Sequence, residues 1–314
     1  MSTGTAQDIG GAGFAARMAE REDAILSPLA ARSYPALRAR PEEDCSLRTP
    51  FQRDRDRIVH SKAFRRLMHK TQVFIAPLGD HYRTRLTHTL ETTGISRTVA
   101  RGLSLNEDLT EAIGMGHDLG HPPFAHIGEE VLDECLKQRF GAAFHFHHNE
   151  HSLRVVDHIE RDGAGLNLTE QVREGIVGHS SRAPLPSTLE GRIVRIMDRV
   201  AYINHDIDDA LRAGLLRERD LPGGPIATLG RTGAQRIDAL VHDMVERSAR
   251  AGDIVQGAEA EAAMLALREF MFERVYHGAE VTSERARIER VIRRLFDHYA
   301  EHPELIGAER GAAE

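Results

Sequence analysis

The sequence predicts an all-α fold. Apolar residues recur at spacings of three and four in one segment after another, and few stretches alternate apolar and polar residues with β-branched enrichment. The joining segments are short and rich in Gly and Pro, such as Asp162-Gly163-Ala164-Gly165 and Ala183-Pro184-Leu185-Pro186.

Taken in order, residues 1–14 are rich in Gly, Ala and Thr and read as a disordered N-terminus. Phe51 to Leu67 is amphipathic, with Ile58, Phe64 and Leu67 apolar, and its RDRDR run reads as a solvated face of alternating charge. Leu86 to Leu103 carries Leu90, Ile95, Val99 and Leu103 at the helical period. Asn106 is a suitable N-cap for a helix from Glu107 to Leu119, which Gly120 and Pro122-Pro123 bring to an end. Further helices are expected over Ile127 to Arg139, Ser152 to Arg161, Thr169 to Val177, Leu189 to Ala213, Gly233 to Ala251, Ala258 to Tyr276, and Glu284 to Glu301. The linker Leu221-Pro222-Gly223-Gly224-Pro225 divides the chain into a core of residues 15–220 and a C-terminal helical extension of residues 221–314.

Composition narrows the function classes. A formal net charge of −7 over 314 residues argues against a surface devoted to nucleic acid. The absence of Trp leaves little for a stacking platform. Nucleic acid is therefore at most a secondary partner, through the basic segment 48–70. Two cysteines in no CxxC pattern support neither a disulfide framework nor a thiolate metal site. No stretch reaches the roughly 20 apolar residues of a membrane span, so a cytoplasmic protein with no membrane partner is expected.

The chemistry concentrates in histidine, of which there are 18. His-Asp occurs at 117-118, 205-206 and 242-243, and the last lies on a long helix that reads as surface. His117-Asp118 closes an apolar helix within GHDLGHPPFAHIGEE, so two metal-type ligands meet a sharp break. His121, His126, Glu129 and Glu130 follow closely. His88 lies in RTRLTHTLE, flanked by Arg83 and Arg85; alone such a histidine is more often structural, but the arginines suit anionic oxygens. Asp198 sits among Ile193, Val194, Ile196, Met197 and Val200, where a carboxylate is costly unless paired or metal-bound.

Together these residues resemble the HD-domain phosphohydrolases, and more narrowly the bacterial deoxyguanosine triphosphate triphosphohydrolases. The matching segments run from RTPFQRDRDRIVHSKAFRRLMHKTQVF (48–74) to LEGRIVRIMDRVAYINHDIDDAL (189–211). The resemblance implies an HD-type helical bundle with His88, His117, Asp118 and Asp198 as metal ligands. It implies His126 as the catalytic base or acid with Glu129 as its partner, and His121 on phosphate. Arg85 corresponds to a triphosphate contact, Tyr202 and Asp206 to the sugar pocket, and Arg53 to an arginine near the nucleotide. Lys70 is a further candidate for neutralising charge, and His148 lies in a cluster, HFHHNEH, whose match is ambiguous. On the residues alone, Arg53 also reads as a surface ion-pairing residue, Tyr202 as core, and His121 as a helix cap.

The implied reaction is metal-dependent hydrolysis of a deoxynucleoside triphosphate, dGTP favoured, to deoxynucleoside and inorganic triphosphate, by a homo-oligomer. Mn²⁺ or Mg²⁺ is the expected ion, although Fe²⁺, Co²⁺ and Zn²⁺ also suit mixed His/Asp ligands. The competing readings are another HD phosphohydrolase, either a 5′-nucleotidase or a phosphodiesterase, and a catalytically silent nucleotide-sensing module.

Overall fold

The computed structural model describes residues 13–72, 83–276 and 279–306. The expected N-terminal disorder lies outside them but for Gly13 and Phe14, which open helix α1 (Phe14–Ile25). Among the described residues no strand forms, and the only ladder contacts are isolated bridges of Arg38 with Thr169 and Thr71 with Thr84. No helix there is long and apolar enough to cross a membrane.

Residues 51–67 do not form one helix. α2 (Pro50–Val59) begins at a capping box, in which Thr49 Oγ1 accepts from the Gln52 amide and Gln52 Oε1 accepts from the Thr49 amide. The chain turns at His60 and Ser61, where Ser61 Oγ caps α3 (Lys62–Arg66). The RDRDR face is only partly solvated. Asp54 is fully buried, held 2.5 Å from Arg38 Nη1, and its other oxygen accepts from the Thr169 amide at 2.7 Å. An alternating-charge run hides such a residue, because its partner lies sixteen positions upstream and no helical period announces it.

Helix α4 (Arg85–Gly102) and helix α5 (Glu107–Gly116) follow, the latter capped by Asn106 Oδ1 on the Leu109 amide at 3.1 Å. Next come α6 (Ala125–Phe140), α7 (His148–Arg154) with a π-helical turn at Val155–Ile159, α8 (Glu170–Gly178), and the long α9 (Leu189–Arg212). The expected linker at 221–225 instead opens a short helix, α10 (Gly223–Leu229). Pro225 fits because its missing N–H falls in the first turn, where that donor has no helical partner. The remaining elements are α11 (Gly233–Ala251), α12 (Ala258–Met271) with a π-helical turn at Phe272–Tyr276, and α13 (Ala279–Glu301).

Helix α9 lies between two cores. On one side Phe51, Ile58, Leu109, Ile113, Ile176 and Val194 bring α2, α5 and α8 together. On the other, Val99, Met197, Val200, Leu240, Met244 and Met264 join α4 and α9 to α11 and α12. The fully buried Arg236 ties α11 to α9, donating to Asn204 Oδ1 at 2.6 Å and Asp208 Oδ1 at 3.3 Å. A charge buried here is tolerated because its N–H groups meet acceptors.

Candidate metal centre and its histidine surround

The turn after α5 is where local sequence and packing meet. Ser152 Oγ, on α7, donates to the His117 carbonyl at 2.7 Å and accepts from the Gly120 amide at 2.9 Å. A Cβ at Gly120 would lie 2.1 Å from the Ser152 nitrogen, so only glycine lets α7 approach. Thus Gly120 and Ser152 clamp the segment that presents His117 and Asp118.

Four of the expected residues converge there. His88 Nε2 lies 3.0 Å from Asp198 Oδ1 and 3.9 Å from Asp118 Oδ2. His117 Nε2 lies 3.6 Å from an oxygen of each. His117 Nδ1 donates to the Gly114 carbonyl at 2.7 Å, which aims Nε2 at the carboxylates. That Nε2 is buried and has no hydrogen-bond partner among the described residues. A buried, unsatisfied imidazole nitrogen beside two carboxylates and a second imidazole suits a divalent cation, and His88, His117 and Asp118 form a group spaced to hold one.

The electrostatics agree. Burial opposes charging of His117, but Asp118 and Asp198 outweigh it and push its pKa up to about 9. Burial likewise raises the two carboxyls, yet His117 with Arg85 holds Asp118 well below the usual range, and His117 with His88 does so for Asp198. Negative charge is thus preserved where a cation would sit. Arg85 Nη1 donates to Asp118 Oδ2 at 2.6 Å, so this arginine, expected on triphosphate, reaches a carboxylate of the centre.

A second layer surrounds the first. Glu129, on α6, accepts from the His148 amide at 3.1 Å, from His148 Nδ1 at 3.0 Å and from Arg182 Nη1 at 3.0 Å. His126 Nδ1 stands 3.5 Å from its other oxygen, with 69% of the His126 side chain exposed. Burial raises the Glu129 carboxyl, but the hydrogen bonds from His126 and His148 hold it far below its ordinary value. His121 is buried and stacks on His148 with ring centroids 4.3 Å apart; burial and the nearby Arg85 keep it well below the usual histidine range.

Two of these residues were not anticipated. His179 donates from Nδ1 to the Ile176 carbonyl at 2.7 Å, which leaves its Nε2 to accept from His148 Nε2 at 3.1 Å. Burial and the neighbouring His117 push it down to about 4. His179 lies in GIVGHS, at the end of α8, and a Gly-His at a helix end like that of Gly116-His117 was the available signal. Arg182 belongs to a turn and carried none. The structure also resolves HFHHNEH: His148 faces Glu129, whereas His145 pairs with Glu150 at 2.8 Å near the surface.

Farther along α9, Tyr202 Oη accepts from Arg268 Nε at 3.1 Å, and Tyr276 Oη donates to Asp206 Oδ2 at 2.5 Å. Burial pushes the Asp206 carboxyl up to about 7, against the lowering effect of Tyr276. Arg268 also lies over the Phe272 ring, 4.6 Å from its centroid. These partners come from α12 and its π-turn, a segment in which the sequence pattern indicates a helix and no site residue. His205 packs edge-on against His88, with ring centroids 5.8 Å apart, and its Nε2 lies 3.3 Å from Glu91. His242 is exposed, but Asp243 accepts from the Gly257 amide at 2.6 Å and so caps α12. Arg53 binds the Glu43 carbonyl at 2.8 Å and lies 3.6 Å from Glu42, and no described contact brings it to the cluster.

Comparison with known proteins follows the same residues. The HD domain family model matches residues 85–203, and the phosphohydrolase-associated domain model matches residues 254–313. A deoxyguanosinetriphosphate triphosphohydrolase-like protein of Caldanaerobacter subterraneus subsp. tengcongensis is 51% identical over 307 residues, covering 94% of this chain and 88% of that one. Proteins of the same description from Clostridium tetani and Geobacter sulfurreducens are 49% and 39% identical, covering 82% and 92% of this chain and 75% and 87% of theirs. A hypothetical protein from Aquifex aeolicus, known from a crystal structure at 2.0 Å resolution, shares the fold at 22% identity and a TM-score of 0.50, over 77% of this chain and 60% of that one. The chain belongs to the deoxyguanosinetriphosphate triphosphohydrolase-like family and is an HD-domain phosphohydrolase.

Proposed function

From that membership we propose that the chain hydrolyses a deoxynucleoside triphosphate, dGTP favoured, at the α-phosphorus, releasing the deoxynucleoside and intact triphosphate. One observation carries the reading. Asp198, Tyr202 and Asp206 follow one another at four-residue intervals on α9, so they share a face at roughly 6 Å and roughly 12 Å along its axis. A ligand whose phosphate end meets the His/Asp centre can therefore lay its sugar along Tyr202 and Asp206.

His88, His117, Asp118 and Asp198 are the residues that would hold a divalent ion, Mn²⁺ or Mg²⁺ by preference. Bound there, such an ion supplies Lewis-acid polarisation of a phosphoryl oxygen and a more acidic water. Arg85 and His121 stand ready for the charge that grows on the phosphate oxygens. His126, exposed and turned by Glu129, exchanges a proton with the attacking water or the leaving 5′-oxygen. Glu129 keeps its negative charge through His148 and Arg182, so it orients His126 without taking the proton itself. Tyr202 crowds C2′ against a ribose hydroxyl, and Asp206 bonds the 3′-hydroxyl. The division into a catalytic core to residue 220 and an extension beyond it, together with a cytoplasmic homo-oligomer, completes the proposal; Tyr276 and Arg268 of the extension close the sugar end.

The test incubates the purified protein with each dNTP and NTP plus Mn²⁺ or Mg²⁺ and resolves the products by ion exchange. Inorganic triphosphate supports the reading. Orthophosphate or a nucleoside monophosphate would move the chain to another phosphohydrolase activity, and no turnover would leave a nucleotide-sensing module.

A further inference from the structure

Behind the His117–Asp118 turn lies a cavity of about 490 Å³. It shares Leu119, Gly120 and His121 with the turn of the metal centre, and none of His88, His117, Asp118 or Asp198 lines it. Four cationic side chains do: Lys62 and Arg66 of α3, Lys70, and Arg161 in the loop after the π-turn. This concentration stands out in a chain whose net charge is −7.

The acidic groups there are already engaged. Glu160 accepts from the Lys62 amide at 3.1 Å and the Ala63 amide at 2.7 Å, and so serves as the anion at the start of α3. Asp162 lies 3.8 Å from Lys62 Nζ, both largely exposed. Lys70 Nζ, half-buried, donates to the Leu119 carbonyl at 3.2 Å and to no other group among the described residues. The guanidinium groups of Arg66 and Arg161 have no partner among the described residues. His121, which lines the same cavity, has its buried Nδ1 unsatisfied. Cations that keep free donors around one cavity, beside a buried imidazole nitrogen with no partner among the described residues, fit a compact polyanion with several oxygens.

We propose that this cavity is a binding site for condensed inorganic phosphate, separate from the metal centre and joined to it through His121 and Lys70. Burial and the nearby Arg85 push Lys70 down to about 8, a cost that an arriving anion relieves. The site takes triphosphate or pyrophosphate. A single phosphate would engage only part of the cationic wall. Naming the reaction's own triphosphate as the source rests on the proposed hydrolase reading; the anion site itself does not.

Titration calorimetry of the full chain without added divalent metal, using sodium triphosphate, pyrophosphate and orthophosphate, tests it. The expected order of affinity is triphosphate, pyrophosphate, orthophosphate. Asp198→Ala is expected to bind triphosphate like the unchanged protein, whereas Arg66→Glu with Arg161→Glu loses roughly tenfold or more. Arg66→Ala alone, at an exposed side chain, gives the same direction should the double variant fail to fold. Equal binding by the arginine variants, loss of binding in Asp198→Ala, or no binding at all would overturn the site. Calorimetry uses no turnover, so a chain that binds triphosphate but releases orthophosphate from dNTPs would sink the reaction and leave the site standing.

Discussion

The inner quartet and the outer layer are built from the same residue types and are wired in opposite ways. In the inner one, the buried His117 Nε2 has no hydrogen-bond partner among the described residues, and two carboxylates face two imidazoles. In the outer one, a single carboxylate, Glu129, collects donors from His148, Arg182 and His126. A deficit of donors around lone pairs makes a place for a cation. A surplus of donors fixes a negative charge and turns one exposed histidine beside it. Residue identity does not separate the two layers; the balance of donors and acceptors does.

The largest effect should come from breaking the inner deficit. Asp198→Ala is expected to reduce turnover by roughly a thousandfold or more and to strip metal from the protein, read by metal analysis beside product assay. A metal-replete, active variant would end the ligand assignment. Next, His126→Ala should lower kcat by roughly 10²- to 10³-fold while metal content and nucleotide affinity stay near those of the unchanged protein. Unchanged turnover would make His126 structural and erase the contrast between the two layers.

A pH series sharpens it further. His117 in the folded, metal-free chain titrates near 9, above its ordinary value near 6.5. The metal-free protein therefore carries the full stabilisation of the charged ring below about pH 6.5 and loses it as pH rises through about 9. Metal must expel that proton, so metal affinity should climb by about tenfold per pH unit toward 9 and flatten above it. Competition titration with a metal-binding dye at several pH values reads this, and a flat profile would place the proton elsewhere.

The smallest effect belongs at the far end of α9. Tyr276→Phe removes a hydrogen bond that lowers the Asp206 carboxyl, now near 7, so the carboxylate should appear only at higher pH. The acid limb of kcat/KM should move up by less than about one unit, and KM should rise by roughly two- to fivefold. Metal content should be untouched; a change there would couple the sugar end to the quartet.

Much of this was legible in the sequence. The helical period located α4, α5, α9 and α11 to within a few residues, and Asn106 announced its cap. His117, Asp118 and Asp198 stood out because ligand-type residues closed or interrupted apolar helices, whereas His88 stood out through its flanking arginines and the family resemblance. His179, Arg182, Tyr276 and Arg268 did not, since each gains its role from a partner on another helix. Asp54 shows the same limit, its burial depending on Arg38 and on the Thr169 amide.

What the sequence determined by itself is periodic or local: helix existence, caps, the break at Gly120, and the presence of two imidazoles and two carboxylates able to hold a cation. Only the tertiary structure decided how those groups share protons and charge. Hydrogen bonds and Coulomb attraction act over a few ångströms, and in this fold the atoms that meet at that range lie tens to more than a hundred residues apart, as with His88 and Asp198.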